Sequence, residues 1–274
     1  MPRQAESDAH ILDIWLDGRS AHTRRAYEGD ACAFVGKPLR AVTLGDVQGF
    51  GASVAHLATA SRARKVSAVK SLPAFAHRIG YLPFDVGAPV RLPSIKSTLA
   101  ERILGEADVH RMLVLEPDER NRALLTVMYF AGLRISEACG LCWRDVQPRD
   151  VAGQITVFGK GGKTRNILLP ASTWRTLAGL RRTGGPDDPV FRSRKGGRLD
   201  ASAIHRVVKA AAERAGLDPA ISAHWLRHVH ASHALDRGAP IHLVQATLGH
   251  SSVATTGRYL HARPTDSSAR YLGG

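Results

Sequence analysis

Apolar residues recur at helical spacing along most of the chain. Ile11, Leu12, Ile14 and Trp15 lie on one side of a helix within residues 8–17, and a second helix runs through Tyr27 and Phe34 with Ser20 or Thr23 as its cap. Residues 61–79 predict a longer one. There Val66, Val69, Leu72, Phe75 or Ala76, and Ile79 share a face, Arg62, Arg64, Lys65 and Lys70 lie elsewhere, and Pro73 should kink the helix. The periodicity then dissolves into Pro83, Gly87, Pro89 and Pro93, which is how an interdomain linker reads; a boundary near residue 95 divides the chain into domains of residues 1–95 and 96–274. Helices resume at about 106–115, 119–131 and 135–141. The period next changes to that of a strand: Ile155 and Val157 alternate before the turn Gly159-Lys160-Gly161-Gly162-Lys163, and Arg165, Ile167 and Leu169 alternate after it, giving a β-hairpin ended by Pro170. Further helices are expected at 171–182, 201–215, 223–236, 241–248 and 253–259. The fold class is therefore mainly α with a small β-hairpin or sheet (α+β).

Charge adds a direction to this picture. The 274 residues carry 38 Lys and Arg against 24 Asp and Glu, a net charge of +14, with 44% apolar residues. Such a surface attracts polyanions, nucleic acid first. The excess lies in both parts, 13 against 8 in residues 1–100 and 25 against 16 in the rest, so either part can face DNA. No stretch approaches the roughly 20 apolar residues that span a bilayer, and Glu6, Asp8 and Asp13 do not fit a signal peptide. A cytoplasmic protein without a membrane partner is expected. Cys32, Cys139 and Cys142 read as reduced thiols, since the one close pair lacks a second pair or a suitably spaced His for zinc.

Five pieces of sequence carry candidate chemistry. Arg134 follows a glycine turn at the start of a helix, in Ala131-Gly132-Leu133-Arg134-Ile135-Ser136-Glu137. Lys160 projects from the tip of the hairpin between glycines. In His224-Trp225-Leu226-Arg227-His228, positions 224, 227 and 228 share a helical face and set a titratable base beside a bidentate phosphate ligand. His224 and His228 also stand at metal-ligand spacing, but the Glu of a zinc hydrolase is missing between them. His250 follows Leu248-Gly249, and Tyr259 comes nine residues later in Thr255-Thr256-Gly257-Arg258-Tyr259.

In this order and with these spacings, Arg134, Lys160, His224 with Arg227, His250 and Tyr259 resemble the active-site signature of the tyrosine recombinase family, the phage integrases and Xer-type recombinases, over residues 104–261. The resemblance implies a two-domain DNA clamp: a helical core-binding domain in residues 1–95 and a catalytic domain in 96–274, without an additional arm-binding domain. It further implies a site-specific recombinase acting on double-stranded DNA in integration, excision, transposition or resolution, as a tetramer on two DNA sites at the nucleoid, with a second recombinase or a directionality factor as further partners. A type IB topoisomerase shares the chemistry, and a non-catalytic DNA-binding protein would share the charge.

On that resemblance Tyr259 attacks the scissile phosphorus and stays joined to the 3′ phosphate, so that no cofactor, ATP or metal is needed. Arg134 and Arg227 offer planar forks of donors to the phosphate oxygens. His250 bonds a non-bridging oxygen, and His224 is the expected general base for a tyrosine whose pKa the cationic pocket should lower. Lys160 resembles the family's general acid for the leaving 5′ oxygen, with Lys163 as its competitor. Glu137 is placed to orient Arg134; His228, His230, His233, His242 and His261 read as packing or DNA-facing residues, and Tyr271 lacks the surroundings of a nucleophile.

Overall fold

The computed structural model describes residues 5–95, 98–159, 162, 164–181 and 184–260. Lys160, Lys163, His261 and Tyr271 lie outside the described residues. The chain forms two compact units, Met1–Ser97 and Thr98–Gly274.

The first unit is helical. Helices α1 (Asp8–Leu16), α2 (Ala21–Phe34), α3 (Leu44–Ser53) and α4 (Thr59–Arg78) pack around Ile11, Trp15, Val47, Val66, Val69 and Leu72. Ser20, not Thr23, caps α2, its hydroxyl accepting from the Thr23 amide. Helix α3 was not expected from the sequence; it starts on a capping box in which Thr43 and Asp46 satisfy each other's amides. Helix α4 runs as one element through Pro73. The segment read as a linker belongs in part to this core. Val86 is buried and Val90 packs against the cluster, Lys70 Nζ donates to the Val90 carbonyl, and a Cβ on Gly87 would stand 3.3 Å from the Lys70 backbone.

The second unit contains α5 (Glu106–Val114), α6 (Glu119–Phe130), α7 (Ile135–Gly140), the strands β1 (Val146–Arg149), β2 (Ala152–Phe158) and β3 (Thr164–Leu169), then α8 (Ala171–Ala178), α9 (Ala201–Arg214), α10 (Ala223–Asp236), α11 (Ile241–Leu248) and α12 (Val253–Gly257). Helix α6 is buried nearly all round, with Leu124, Leu125, Val127 and Met128 at 0% exposure, so it forms the axis on which the other elements pack. The sheet is antiparallel in the order β1-β2-β3. Its inner face presents Ile155, Val157, Ile167 and Leu169, as the alternation predicts, and the β2–β3 pairing ends at Phe158 opposite Thr164, enclosing the turn. Trp174 of α8 lies directly on Gly153, where any Cβ would stand 2.1 Å from the indole.

Candidate active site

Two turns bring distant parts of the second unit together. The chain leaves α6 through Gly132 at φ +58°, and a Cβ there would sit 2.7 Å from Leu248 and 2.9 Å from His230. This turn is thereby held against α10 and α11, and it sets Arg134 at the N-cap of α7. Helix α11 ends on Gly249 at φ +62°, in the left-handed conformation glycine tolerates, which directs His250 back toward α10.

A buried carboxylate organises the cations. Glu137 accepts from the Arg134 amide at 2.7 Å and from its guanidinium at 2.8 Å, and both terminal nitrogens of Arg165 on β3 reach its two oxygens at 2.8 Å. Arg165 Nε also donates to the Thr247 carbonyl at 2.7 Å, and Arg134 Nη2 to the Gly249 carbonyl at 3.1 Å. Burial pushes the Glu137 carboxyl up, but the hydrogen bonds from Arg165, and then from the Arg134 amide and guanidinium, hold it below its usual range. Arg227 is 2% exposed, and its terminal nitrogens donate to the carbonyls of Gly132 and Leu248, so it ties the two turns together. Burial followed by Arg134 pushes its pKa down to about 10, and it remains a cation at neutral pH. The sequence suggested a fork free for phosphate; in the structure part of that fork is already committed to backbone.

Tyr259 lies just beyond α12, 5% exposed, packed with Ala231, Val244 and Leu248. Its hydroxyl stands 2.7 Å from Nδ1 of His228. His250 stacks alongside it, ring centroids 6.4 Å apart and nearly parallel, and directs its own Nδ1 to the Thr256 hydroxyl at 2.9 Å. His224 is exposed at the surface of α10, its ring 4.3 Å from that of His228. Arg134, Arg227, His250 and Tyr259 therefore converge as the sequence indicates, and His224 is close by, but the imidazole on the tyrosine hydroxyl is that of His228. Arg134, Arg165, Gly249 and His250 line a cleft of about 590 Å³.

The electrostatics correct one expectation. Burial pushes the Tyr259 hydroxyl above the ordinary tyrosine value, and Arg227 and Arg258 pull the other way without reversing it. The cationic pocket does not lower it because the ring sits in an apolar cluster and Arg227 directs donors at carbonyls. Burial, then His224, Arg102, Arg227 and Arg258, push His228 down to about 4; burial, then Arg227 and Arg134, do the same to His250. Both rings are neutral at pH 7 and can accept hydrogen bonds.

Sequence reasoning passed over two of these residues. Arg165 occupies the inward-facing register of β3 with Ile167 and Leu169, and a charge in an apolar register was the signal available. His228 was hidden among the four histidines of residues 224–233. His230 and His233 do pack: His230 faces the Tyr129 carbonyl at 2.9 Å, and His233 the Tyr129 hydroxyl at 2.9 Å. Among the described residues no group of three or more His, Cys, Asp or Glu is placed to hold a metal ion, and no helix is long and apolar enough to cross a membrane.

The phage integrase family model matches residues 100–266. Tyrosine recombinase XerD of Pseudomonas aeruginosa is 34% identical over 96% of each chain. Tyrosine recombinase XerC of Xylella fastidiosa is 33% identical over 89% of this chain and 87% of its own. The fold is also that of XerH site-specific recombinase bound to its difH substrate before cleavage, at 22% identity and a TM-score of 0.69 over 98% of this chain and 84% of that one. A lambda integrase tetramer bound to a Holliday junction matches at 17% identity and a TM-score of 0.72, over 96% and 80% of the two chains. With a family model across most of the second unit and full-length relatives above 30% identity, this chain belongs to the phage integrase family, the tyrosine recombinases.

Proposed function

We propose that this protein is a site-specific DNA recombinase that cleaves and rejoins duplex DNA through a covalent bond between Tyr259 and the 3′ phosphate. The observation that carries this reading is the Tyr259 hydroxyl, bonded to a neutral imidazole at 2.7 Å, with His250 stacked beside its ring and the guanidiniums of Arg227 and Arg258 acting on it. A phenol so placed is a nucleophile beside a proton acceptor, and guanidiniums supply the charge that a pentacovalent phosphate needs.

Each residue has a part. The Tyr259 oxygen bonds to phosphorus as the bond from phosphorus to the 5′ oxygen breaks; the phosphotyrosyl bond conserves the energy, and a 5′ hydroxyl from another strand reverses the step. Arg134, partly exposed at the cleft, and the uncommitted N–H groups of Arg227 meet the non-bridging oxygens. His250 has Nδ1 engaged by Thr256, which leaves Nε2 for an oxygen. Lys160, from the β2–β3 turn, gives its proton to the leaving 5′ oxygen.

Residues 1–95 act as the core-binding domain and 96–274 as the catalytic domain. The substrate is double-stranded DNA, which the net charge of +14 favours and on which XerH and lambda integrase have been crystallised. We assign a tetramer on two DNA sites, as lambda integrase forms on a Holliday junction, and place the protein at the chromosome in the cytoplasm. A second recombinase or a directionality factor can join that assembly.

The test is to denature cells expressing the wild type or Tyr259→Phe, recover the protein and sequence any DNA still attached. DNA of one sequence on the wild type alone is expected. Attachment scattered over unrelated sequences would indicate a topoisomerase, and equal absence from both would overturn the covalent mechanism.

A further inference from the structure

The first unit has one buried carboxylate among the described residues, and it serves two cations at once. Asp30 of α2 is 2% exposed; its Oδ2 accepts from Arg64 Nη1 at 2.5 Å, and its Oδ1 accepts from Arg64 Nη2 at 3.2 Å and from Lys65 Nζ at 2.7 Å. Resting on the reading of residues 1–95 as a DNA-binding domain, we infer that Arg64 and Lys65, held together by Asp30, form a binding site for a backbone phosphate of duplex DNA. Asp30 is the positioning residue of that site.

Arg64 and Lys65 are successive residues of α4, so their side chains leave the helix about 100° apart, and as like charges they favour separation. Sharing Oδ1 of Asp30 draws both heads onto one atom. A buried carboxylate needs one cation to balance it, and here it has two. The surplus charge is turned to solvent: the Arg64 and Lys65 side chains are 44% and 31% exposed, whereas the carboxylate between them is enclosed. Asp30 takes three of their N–H groups, and the others are left for a further acceptor. A guanidinium fork beside an ammonium suits the non-bridging oxygens of a phosphate. Arg62, one helical turn before Lys65 on α4, extends the row of cations, and among the described residues its Nε has no acceptor. Long cationic side chains lose rotamer freedom when they grip a ligand; Asp30 imposes that loss during folding, so the phosphate meets a pair already in place.

The test uses the full-length protein and a duplex that it enriches from random-sequence DNA, with single phosphates replaced in turn by neutral methylphosphonate. One replacement should weaken binding by the wild type and leave Arg64→Gln/Lys65→Gln indifferent, and this variant should also lose about one unit of the salt slope. Asp30→Asn removes a negative charge, so charge alone predicts tighter binding; the positioning role predicts binding weaker by about fivefold or more. The same substitution in the Arg64→Gln/Lys65→Gln background should cause no loss, whereas a purely structural role would weaken both backgrounds alike. Identical methylphosphonate profiles for the wild type and Arg64→Gln/Lys65→Gln, a readout independent of how Asp30→Asn folds, would overturn the site. Asp30→Asn binding as tightly as the wild type, or more tightly, would overturn the positioning role. The covalent adduct on Tyr259 is read separately: its absence with the expected profiles would overturn the recombinase reading and leave this site standing, and failure to enrich any duplex would overturn both.

Discussion

Replacing Glu137 by Gln tests the organisation of the site with almost no change of shape. In the wild type, one carboxylate oxygen accepts from the terminal nitrogens Nη1 of Arg134 and of Arg165, and the other accepts from the Arg134 amide and Nη2 of Arg165. An amide has only one acceptor oxygen. Whichever way it turns, its NH2 faces two donors, so two of four hydrogen bonds are lost. At about 1–3 kcal/mol for each buried donor left without a partner, the loss is about 2–6 kcal/mol. The Arg134 side chain is 36% exposed, and water recovers part of its share, which brings the expectation to about 2–4 kcal/mol. For a unit of this size, that lowers the melting temperature by about 4–16 °C. Three of the four tryptophans, Trp143, Trp174 and Trp225, lie in the second unit, so thermal unfolding followed by tryptophan fluorescence reads it. The pH dependence has a definite sign. An acid held below its ordinary value of 4.5 adds stability above that value and loses it as pH falls through the folded one. The gap between wild type and Glu137→Gln should be constant from neutral pH to near 4.5 and narrow below it. A drop of less than about 2 °C at neutral pH, or a gap that widens in acid, would refute the reasoning.

Other substitutions probe the turns and the histidines. Gly132→Ala forces a side chain into a positive-φ position 2.7 Å from Leu248; a loss of about 2–4 kcal/mol in urea unfolding is expected. Arg227→Lys brings one ammonium to carbonyls that a guanidinium fork bridges, and should cut covalent adduct formation about 100-fold or more while lowering the urea midpoint. His228, His230 and His250 are all pushed down to about 4, so between their ordinary value of 6.5 and 4 the unfolded chain takes up protons that the folded chain refuses. Stability should therefore fall with pH across that window in denaturant titrations. DNA phosphate at the site should raise the same values, and calorimetry in buffers of different ionisation enthalpy should show proton uptake on binding.

The helices were legible where apolar spacing was dense, as in α4 and α10, and the order of Arg134, Arg227, His250 and Tyr259 pointed to one site before any geometry was available. What escaped was either weakly patterned or long-range. Helix α3 carries Gly45, Gly49 and Gly51, which dilute its periodicity although Thr43 and Asp46 announce its start. Strand β1 has only Val146 buried and contains Pro148, so it shows no alternation. The segment from Pro83 to Val90 reads as a linker because its contacts with α4 come from two apolar residues and a backbone carbonyl. The partners of Arg165, Glu137 and Thr247, are 28 and 82 residues away, and the partner of Tyr259 is 31 residues away. Local spacing carries no record of such pairs.

The bracing of Arg227 has a consequence for the life of the chain. Its guanidinium joins backbone 95 residues before it and 21 residues after it, and Tyr259 comes later still. A polypeptide still on the ribosome, or one clipped behind α11, holds the arginines and some histidines without Tyr259, the nucleophile of the proposed mechanism. On the proposed function, strand cleavage is thus withheld until synthesis has passed every other part of the centre.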